Sequence, residues 1–260
     1  MNEKKLSEKL INNGYLINKV ESKKSLKYID NFIKKKIVKY LKKINISVNS
    51  INLNKLHQTI DLKNLNNLRL KIISEINLDK KFRLHYYNIS KQTLSSLVGN
   101  ELAMQNNINL SIQFPKDESS LLPMHADTWS GDSPFETVIW LPLVNCYKTK
   151  SMFILKQSKY KNFEKFYKDK KIKSVSQFYK KLKKDISFIK INYGNFLFFN
   201  QSLPHGNVVN DTNETRISLN CRFKGLFTPY AEKKLGSFFS PLNTKTVSKI
   251  ALNYKFPGEE

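Results

Sequence analysis

Three residues whose side chains commonly bind metal ions stand beside segments with the pattern of β-strands. His125 and Asp127 are one residue apart just before the apolar run TVIWLPLV, and His205 follows the run NFLFFN after a short turn. Alternate residues of a strand face the same side, so His125 and Asp127 can share one ion while Ala126 turns away. Two neutral imidazoles and one carboxylate form a ligand set for Fe(II) that leaves coordination positions free. The sequence therefore predicts a metal site at His125, Asp127 and His205.

A cation and a hydroxyl group follow on a later strand. Arg216 and Ser218 open the alternating run RISLNCRF, so both side chains face one side. An arginine inside a β-core is costly unless it meets a carboxylate. The 2-oxo acid end of 2-oxoglutarate would take two of the free metal positions and O2 the third. Arg216 and Ser218 would then hold the distal carboxylate, so we predict Fe(II), 2-oxoglutarate as co-substrate, and O2.

The elements that must position these residues predict an α+β fold with a mainly β core. Residues 1–80 have apolar side chains at helical spacings of three and four. From about residue 83, short β-prone runs are separated by Pro, Gly, Asn and Asp. We expect a double-stranded β-helix, a cupin-like jelly roll, with the N-terminal helices packed on it. The expected organisation is a single domain, 1–260, made of an N-terminal helical region (1–80), the core (81–230) with a helical insertion at 156–185, and the C-terminal tail (231–260).

The order of these motifs resembles a known family. His-x-Asp, a distant His and Arg-x-Ser together are similar to the iron- and 2-oxoglutarate-dependent dioxygenases of the phytanoyl-CoA hydroxylase type. More narrowly, the segment GNELAMQNNINLSIQFPKDESSLLPMHADTWSGDSPFETVIWLPLVNCYKTKSMFIL resembles oxygenases of sporadic carbohydrate biosynthesis clusters, relatives of the streptomycin-biosynthesis oxygenase. The resemblance covers residues 80–230. It implies iron ligation and a 2-oxoglutarate clamp at the five positions named above.

The resemblance also implies a reaction and a class of substrate. Related halogenases carry a small residue in place of the carboxylate ligand, whereas Asp127 is present here, which favours hydroxylation or another oxidation of a C–H bond with release of succinate and CO2. The implied substrate is a small molecule: a sugar, a nucleotide-sugar or a glycan precursor. One departure is the segment TKSMFIL, 149–155, which lacks the Asn-Gly turn of phytanoyl-type members.

Further polar residues near the motifs are candidates for the same pocket. Gln113 lies on the strand before the metal motif and Thr137 on the strand after it, so either could contact 2-oxoglutarate or substrate, and either could equally satisfy backbone groups. Trp129 and Asp132 follow the first two ligands and would suit stacking on, and hydrogen bonding to, a sugar ring. Glu136 stands in the same stretch, with pocket and structural roles equally favoured.

The composition restricts the partners and the location. The net charge of +24 comes from 45 Lys and Arg against 21 Asp and Glu. Most of the excess is Lys, which agrees with A/T-rich codon usage or an acidic substrate, and the scarcity of Arg makes nucleic acid an unfavoured partner. We expect a cytoplasmic protein without a membrane span, because the N-terminus has no signal-peptide core and the apolar runs are short. Cys146 and Cys221 lie in or beside apolar runs, which predicts buried free thiols.

Two alternative functions remain open at the level of sequence. Arg216 and Arg222 are six residues apart, as the arginine pair of AlkB-type nucleic-acid demethylases is, although the gap from His205 to Arg216 is shorter than in that family. The alternative of another class is a jelly-roll binding protein without catalysis. The oligomeric state is left open.

Overall fold

The polypeptide forms helices and two antiparallel sheets, described by a computed structural model for residues 3–168 and 174–258. The strands are β1 (Tyr15–Lys19), β2 (Leu102–Gln105), β3 (Asn109–Gln113), β4 (Glu136–Pro142), β5 (Phe153–Leu155), β6 (Ile186–Phe188), β7 (Asn195–Asn200), β8 (His205–Gly206), β9 (Arg216–Gly225) and β10 (Phe239–Asn243). The α-helices are α1 (Glu3–Asn13), α2 (Lys23–Lys43), α3 (Leu62–Leu78), α4 (Lys80–Asn88), α5 (Lys91–Leu97), α6 (Tyr160–Tyr167), α7 (Val175–Leu182) and α8 (Thr246–Leu252). The predicted mixture of helices and β-sheet is confirmed.

The larger sheet is organised around β9. Its strand order is β1-β7-β4-β9-β2-β10, and β3 also pairs with β9. The smaller sheet has the order β6-β5-β8. All of these pairings are antiparallel. An antiparallel bridge between His125 and His205 joins the segment before β4 to the smaller sheet.

The two faces of β9 have opposite chemistry, because successive side chains of a strand point to opposite sides. One face is apolar and belongs to the same core cluster as buried residues of α2, α3 and α4. Its members are Ile217, Leu219, Cys221 and Phe223. The other face is polar and turns towards a cavity; its members there are Arg216, Asn220 and Arg222. One strand therefore joins the hydrophobic core to the polar site.

The helices that cover the apolar face follow from local sequence signals. Ser22 and Asp61 cap α2 and α3, accepting hydrogen bonds from the backbone N–H groups of Ser25 (3.2 Å) and Asn64 (3.0 Å). The packing of α4 is fixed by Tyr86, whose hydroxyl donates to the carbonyl oxygen of Ile139 on β4 at 2.8 Å. Among the described helices, none has the length and apolar character needed to cross a membrane.

The secondary structure differs from the sequence expectation at three places. The sequence predicts strands from about residue 83, but helices continue to Leu97 because aromatic residues of α4 pack into the core. β1 lies within the region expected to be helical and pairs with β7, a partner distant in sequence. The sequence pattern assigns no element to the tail, yet β10 adds a strand beside β2. Both β1 and β10 form by pairing with a strand that is distant in sequence, and local sequence patterns do not encode such pairing.

The expected insertion at 156–185 contains α6 and α7, and its residues 169–173 lie outside the described residues. Phe163 of α6 and Phe178 of α7 are buried and pack in an edge-to-face arrangement at 5.2 Å. They form a second apolar cluster with Phe153 and Leu155 of the smaller sheet. The helices of the insertion therefore cover this sheet. Cys146 and Cys221 are both free and buried, as predicted.

The packing of α3 predicts unequal effects from two neighbouring substitutions. Ile72 is fully buried and Leu70 is 59% exposed. We expect Ile72→Ala to lower the free energy of unfolding by about 2–5 kcal/mol, because it leaves a cavity in the core. The control Leu70→Ala should change it by less than about 0.5 kcal/mol. Urea denaturation followed by circular dichroism measures both values, and equal losses would contradict the described packing.

Candidate metal centre

The structure brings His125, Asp127 and His205 together. One ligand atom from each lies within 4.8 Å of the others. The Oδ1 atom of Asp127 is 3.3 Å from Nε2 of His125 and 3.8 Å from Nε2 of His205. His125 and His205 pair with each other in the antiparallel bridge, whereas Asp127 begins a 3₁₀ turn, Asp127–Ser130. Ala126 between them has extended backbone and is buried.

Both imidazole rings are held by backbone carbonyl groups. Nδ1–H of His125 donates to the carbonyl oxygen of Pro123 at 2.8 Å, and Nδ1–H of His205 donates to that of Leu203 at 2.8 Å. A carbonyl oxygen only accepts, so each contact fixes the tautomer with the proton on Nδ1. The lone pair of Nε2 in each ring is then free to bind a metal ion, an arrangement typical of metal-ligating histidines.

The electrostatic environment favours an ionised Asp127 and a neutral His205, the forms that a metal ion requires, whereas the carboxylate of Asp127 favours the protonated form of His125. Burial by itself raises the pKa of Asp127, but the close contact with His125 and the charges of His205 and Arg222 outweigh it and lower the pKa to about 2. Burial lowers the pKa of His205 to about 4. Burial also acts downward on the pKa of His125, but its contacts with Asp127 and Pro123 produce a net rise. Asp127 is thus ionised and His205 neutral at neutral pH.

Arg222 contacts the oxygen of Asp127 that faces away from the two histidines. Its Nη2 lies 2.9 Å from Oδ2 of Asp127, opposite the oxygen that faces the two histidines. Its Nε lies 3.2 Å from Oδ1 of Asp132 and donates to Oε1 of Gln201 at 3.1 Å. Arg222 therefore fixes which oxygen of Asp127 points towards the imidazoles. The sequence analysis noted Arg222 only for its spacing, although alternation along β9 places it on the same face as Arg216.

A cavity of about 360 Å³ contains the three candidate ligands. Arg216 lines it, and Ser218 lies two residues further along the same face of β9. In register on β3, Gln113 pairs with Arg216 and Ser111 with Ser218. Other lining residues, none of them predicted, are Asn109, Ser111, Ser120, Leu122, Asn207, Asn220 and Lys233.

Arg216 is a buried cation without a carboxylate partner among the described residues. It is 4% exposed, and its Nη2 donates to the hydroxyl of Ser111 at 3.0 Å. Its Nε, the hydroxyl of Ser218 and Oε1 of Gln113 are buried and have no hydrogen-bond partner. Burial lowers the pKa of Arg216 to about 10, which leaves it positively charged at neutral pH. A buried, incompletely paired cation beside a free hydroxyl matches what an anionic ligand needs.

The structure corrects the expectation for Thr137. It lies on the opposite face of β4 from Val138 and Trp140, which line the cavity, because neighbouring residues of a strand face opposite ways. Its hydroxyl donates to the carbonyl oxygen of Phe199 at 3.0 Å. Gln113 does lie beside Arg216, and its Nε2 donates to the carbonyl oxygen of Val208 at 2.8 Å.

Of the two residues predicted to contact the substrate, Asp132 lies in the cavity and Trp129 lies outside it. Asp132 lines the cavity and is paired with Arg222 and Lys233. Trp129 does not line it; the indole stacks on Phe163 of the insertion at 5.6 Å and stays 44% exposed. Glu136 is buried, which raises its pKa, and accepts a hydrogen bond from Gln201 at 3.1 Å.

Comparisons with known proteins show the fold. Neither the protein-family models nor the curated proteins give a match. Among solved structures, apo ThoJ, a non-heme monooxygenase, is 12% identical, covers 92% of this chain and 84% of its own, and has a TM-score of 0.60. The α-ketoglutarate-dependent carbocyclase SnoK from nogalamycin biosynthesis is 12% identical, with coverages of 92% and 96% and a TM-score of 0.53.

A third similar structure is HygX from Streptomyces hygroscopicus, solved with nickel and 2-oxoglutarate bound. It is 12% identical, with 89% of each chain covered and a TM-score of 0.51. At these identities the likeness speaks for architecture and not for a reaction. The chain shares its fold with non-heme, 2-oxoglutarate-dependent oxygenases.

Proposed function

We propose that this protein is an Fe(II)- and 2-oxoglutarate-dependent dioxygenase of the phytanoyl-CoA hydroxylase-like type that oxidises a C–H bond of a small molecule. One observation carries the proposal: a His-Asp-His cluster and a buried arginine without a carboxylate partner among the described residues line the same cavity. A metal site alone would fit many activities. The unpaired cation in the same cavity adds the need for an anionic co-substrate.

The residues fit both groups. His125, Asp127 and His205 would hold Fe(II) through Nε2, one carboxylate oxygen and Nε2. Arg216 and Ser218 would bind the distal carboxylate of 2-oxoglutarate, which supplies the missing partners of the Arg216 Nε and the Ser218 hydroxyl. When bound, the iron supplies the activation of O2 that no amino-acid side chain provides.

The protein's own groups have orienting and solvent-excluding roles in this proposal. Arg222 keeps one oxygen of Asp127 directed away from the ion and the other towards it. Apolar side chains of Val138, Trp140 and Phe199 line the cavity and limit water around the reacting atoms. We propose that the two sheets form a double-stranded β-helix and, with the helices, a single oxygenase domain.

We further propose that the substrate is derived from a carbohydrate. The cavity presents hydroxyl, amide and charged groups, including Ser120, Asn207 and Asp132, which suit a ligand rich in hydrogen-bonding groups. The ring centres of Trp129 and Tyr167 are 6.0 Å apart, and both side chains are partly exposed. A sugar ring that extends from the cavity could stack on them. A glycan- or nucleotide-linked sugar is long enough to use both features.

A direct test measures the dependence of turnover on each component. Purified protein is reconstituted with Fe(II) under anaerobic conditions, and succinate is measured after O2 is added with 2-oxoglutarate. We expect succinate only when Fe(II), 2-oxoglutarate and O2 are all present, with stimulation by the correct sugar substrate. The proposal fails if the protein binds neither metal nor 2-oxoglutarate.

Removal of the proposed carboxylate ligand should weaken metal binding. We expect Asp127→Ala to weaken Ni(II) binding, measured by isothermal titration calorimetry, by more than about 100-fold. The control Asp211→Ala removes an exposed carboxylate that pairs with Lys116 and should leave the affinity unchanged. Equal affinities of both variants would show that Asp127 is not a ligand.

Replacement of Arg216 should weaken the binding of 2-oxoglutarate without lowering the stability of the fold. We expect Arg216→Met to weaken 2-oxoglutarate binding to the Ni(II)-loaded protein by about 100-fold, and Ser218→Ala by about tenfold. Without 2-oxoglutarate, Arg216→Met should leave the free energy of unfolding unchanged or raised, because it removes an incompletely paired buried charge. Calorimetry and urea denaturation measure the two effects. A destabilised variant that still binds 2-oxoglutarate would make Arg216 a structural residue.

A further inference from the structure

Three charged side chains that line the cavity form a connected group. They are Asp132, Arg222 and Lys233, here called the mouth cluster, and all three line the cavity. Arg222 lies between two carboxylates, those of Asp127 and Asp132. The ammonium group of Lys233 contacts the other oxygen of Asp132. Asp132 is therefore shared by two cations.

The charges that line the cavity do not balance. Three cations, Arg216, Arg222 and Lys233, face two carboxylates, Asp127 and Asp132, which leaves one positive charge. The proposed Fe(II) adds two positive charges and 2-oxoglutarate two negative ones, so loading both leaves the excess unchanged. Its position changes, however, because Asp127 and one carboxylate of 2-oxoglutarate would together balance the two charges of the ion, and Arg216 would pair with the other carboxylate. The uncompensated charge then lies in the mouth cluster.

Lys233 is the member of the cluster that is free to bind a ligand. Its side chain is 26% exposed, against 16% for Arg222 and 1% for Asp132. Among the described residues its only polar contact is with Asp132, and its ammonium group lies 5.0 Å from the ring centre of Phe238. An ammonium group has three donors, so two remain for a ligand in the cavity.

We propose that the mouth cluster binds an anionic group of the substrate, a phosphate ester or a carboxylate, with Lys233 as its principal contact and Arg222 as the second cation. This inference rests on the proposed function and narrows its substrate class to anionic molecules. It also assigns a position: the anionic group lies beside Asp132, and the carbon to be oxidised lies towards His125 and His205. A neutral sugar would leave the excess charge of the cluster unpaired.

The test compares anionic and neutral sugars on the loaded protein without turnover. Protein loaded with Ni(II) and 2-oxoglutarate is titrated in a calorimeter, at fixed ionic strength, with glucose 1-phosphate, glucuronate and glucose. We expect one or both anionic sugars to bind at least about tenfold more tightly than glucose, which also tells phosphate from carboxylate. Lys233→Met should remove this preference, and Lys233→Arg should retain most of it.

The control is Lys234→Met, which removes the neighbouring exposed lysine and should keep the preference. Equal binding of all three sugars, or a preference that survives in Lys233→Met, would overturn the inference. The affinities for Ni(II) and 2-oxoglutarate are measured on every variant. If the unmodified protein binds both but shows no preference for anionic sugars, only this inference fails; if it binds neither, the proposed function fails.

Discussion

The strict alternation of side chains along β9 is the constraint on which the rest of the molecule depends. Its apolar residues join the core that the N-terminal helices cover, and its polar residues supply the cavity with two arginines and an asparagine. A shift of one residue in register would move every arginine into the hydrophobic core and every aliphatic side chain into the cavity. The site and the core are therefore specified together, by pairing of β9 with β3, β4 and β2.

Two arginines on that one face have opposite electrostatic situations. Arg222 is compensated by Asp127 and Asp132, and it helps to keep the pKa of Asp127 near 2. Arg216, six residues away, is more deeply buried; it contacts the hydroxyl of Ser111 and forms no ion pair among the described residues. A protein gains no stability from an uncompensated buried charge, so its presence is best explained by a ligand that supplies the counter-charge. The paired arginine positions a carboxylate of the protein, and in the proposed function the unpaired one would bind a carboxylate of the co-substrate.

Residue type and spacing were sufficient to predict which three candidate ligands and which buried cation meet in one cavity. His125, Asp127, His205 and Arg216 could be named because their chemistry is distinctive. The strand geometry expected at His125 and Asp127 was wrong, since Asp127 begins a 3₁₀ turn, although its side chain still lies beside His125. Thr137 was misplaced because the register of β4 depends on β7 and β9, which local sequence does not encode. Lys233 was missed for a similar reason. It lies in the C-terminal tail, where no local pattern places it beside Asp132, about a hundred residues earlier in the chain.

The spacing between the two imidazoles depends on a close approach of two backbones. A Cβ atom on residue 206 would lie 2.7 Å from the carbonyl oxygen of Leu122 and 2.9 Å from that of Pro123, so Gly206 allows the segment before His125 to lie against β8. The side-chain oxygen of Asn207 then accepts a hydrogen bond from the backbone N–H of Leu122. The backbone N–H of Asn207 donates to the carbonyl oxygen of Leu122 at 2.9 Å. The Pro123 carbonyl oxygen, fixed by this contact, also orients the ring of His125. The glycine after His205 therefore helps to position the histidine on the other segment, because a Cβ atom there would force the Leu122–Pro123 backbone or β8 to shift.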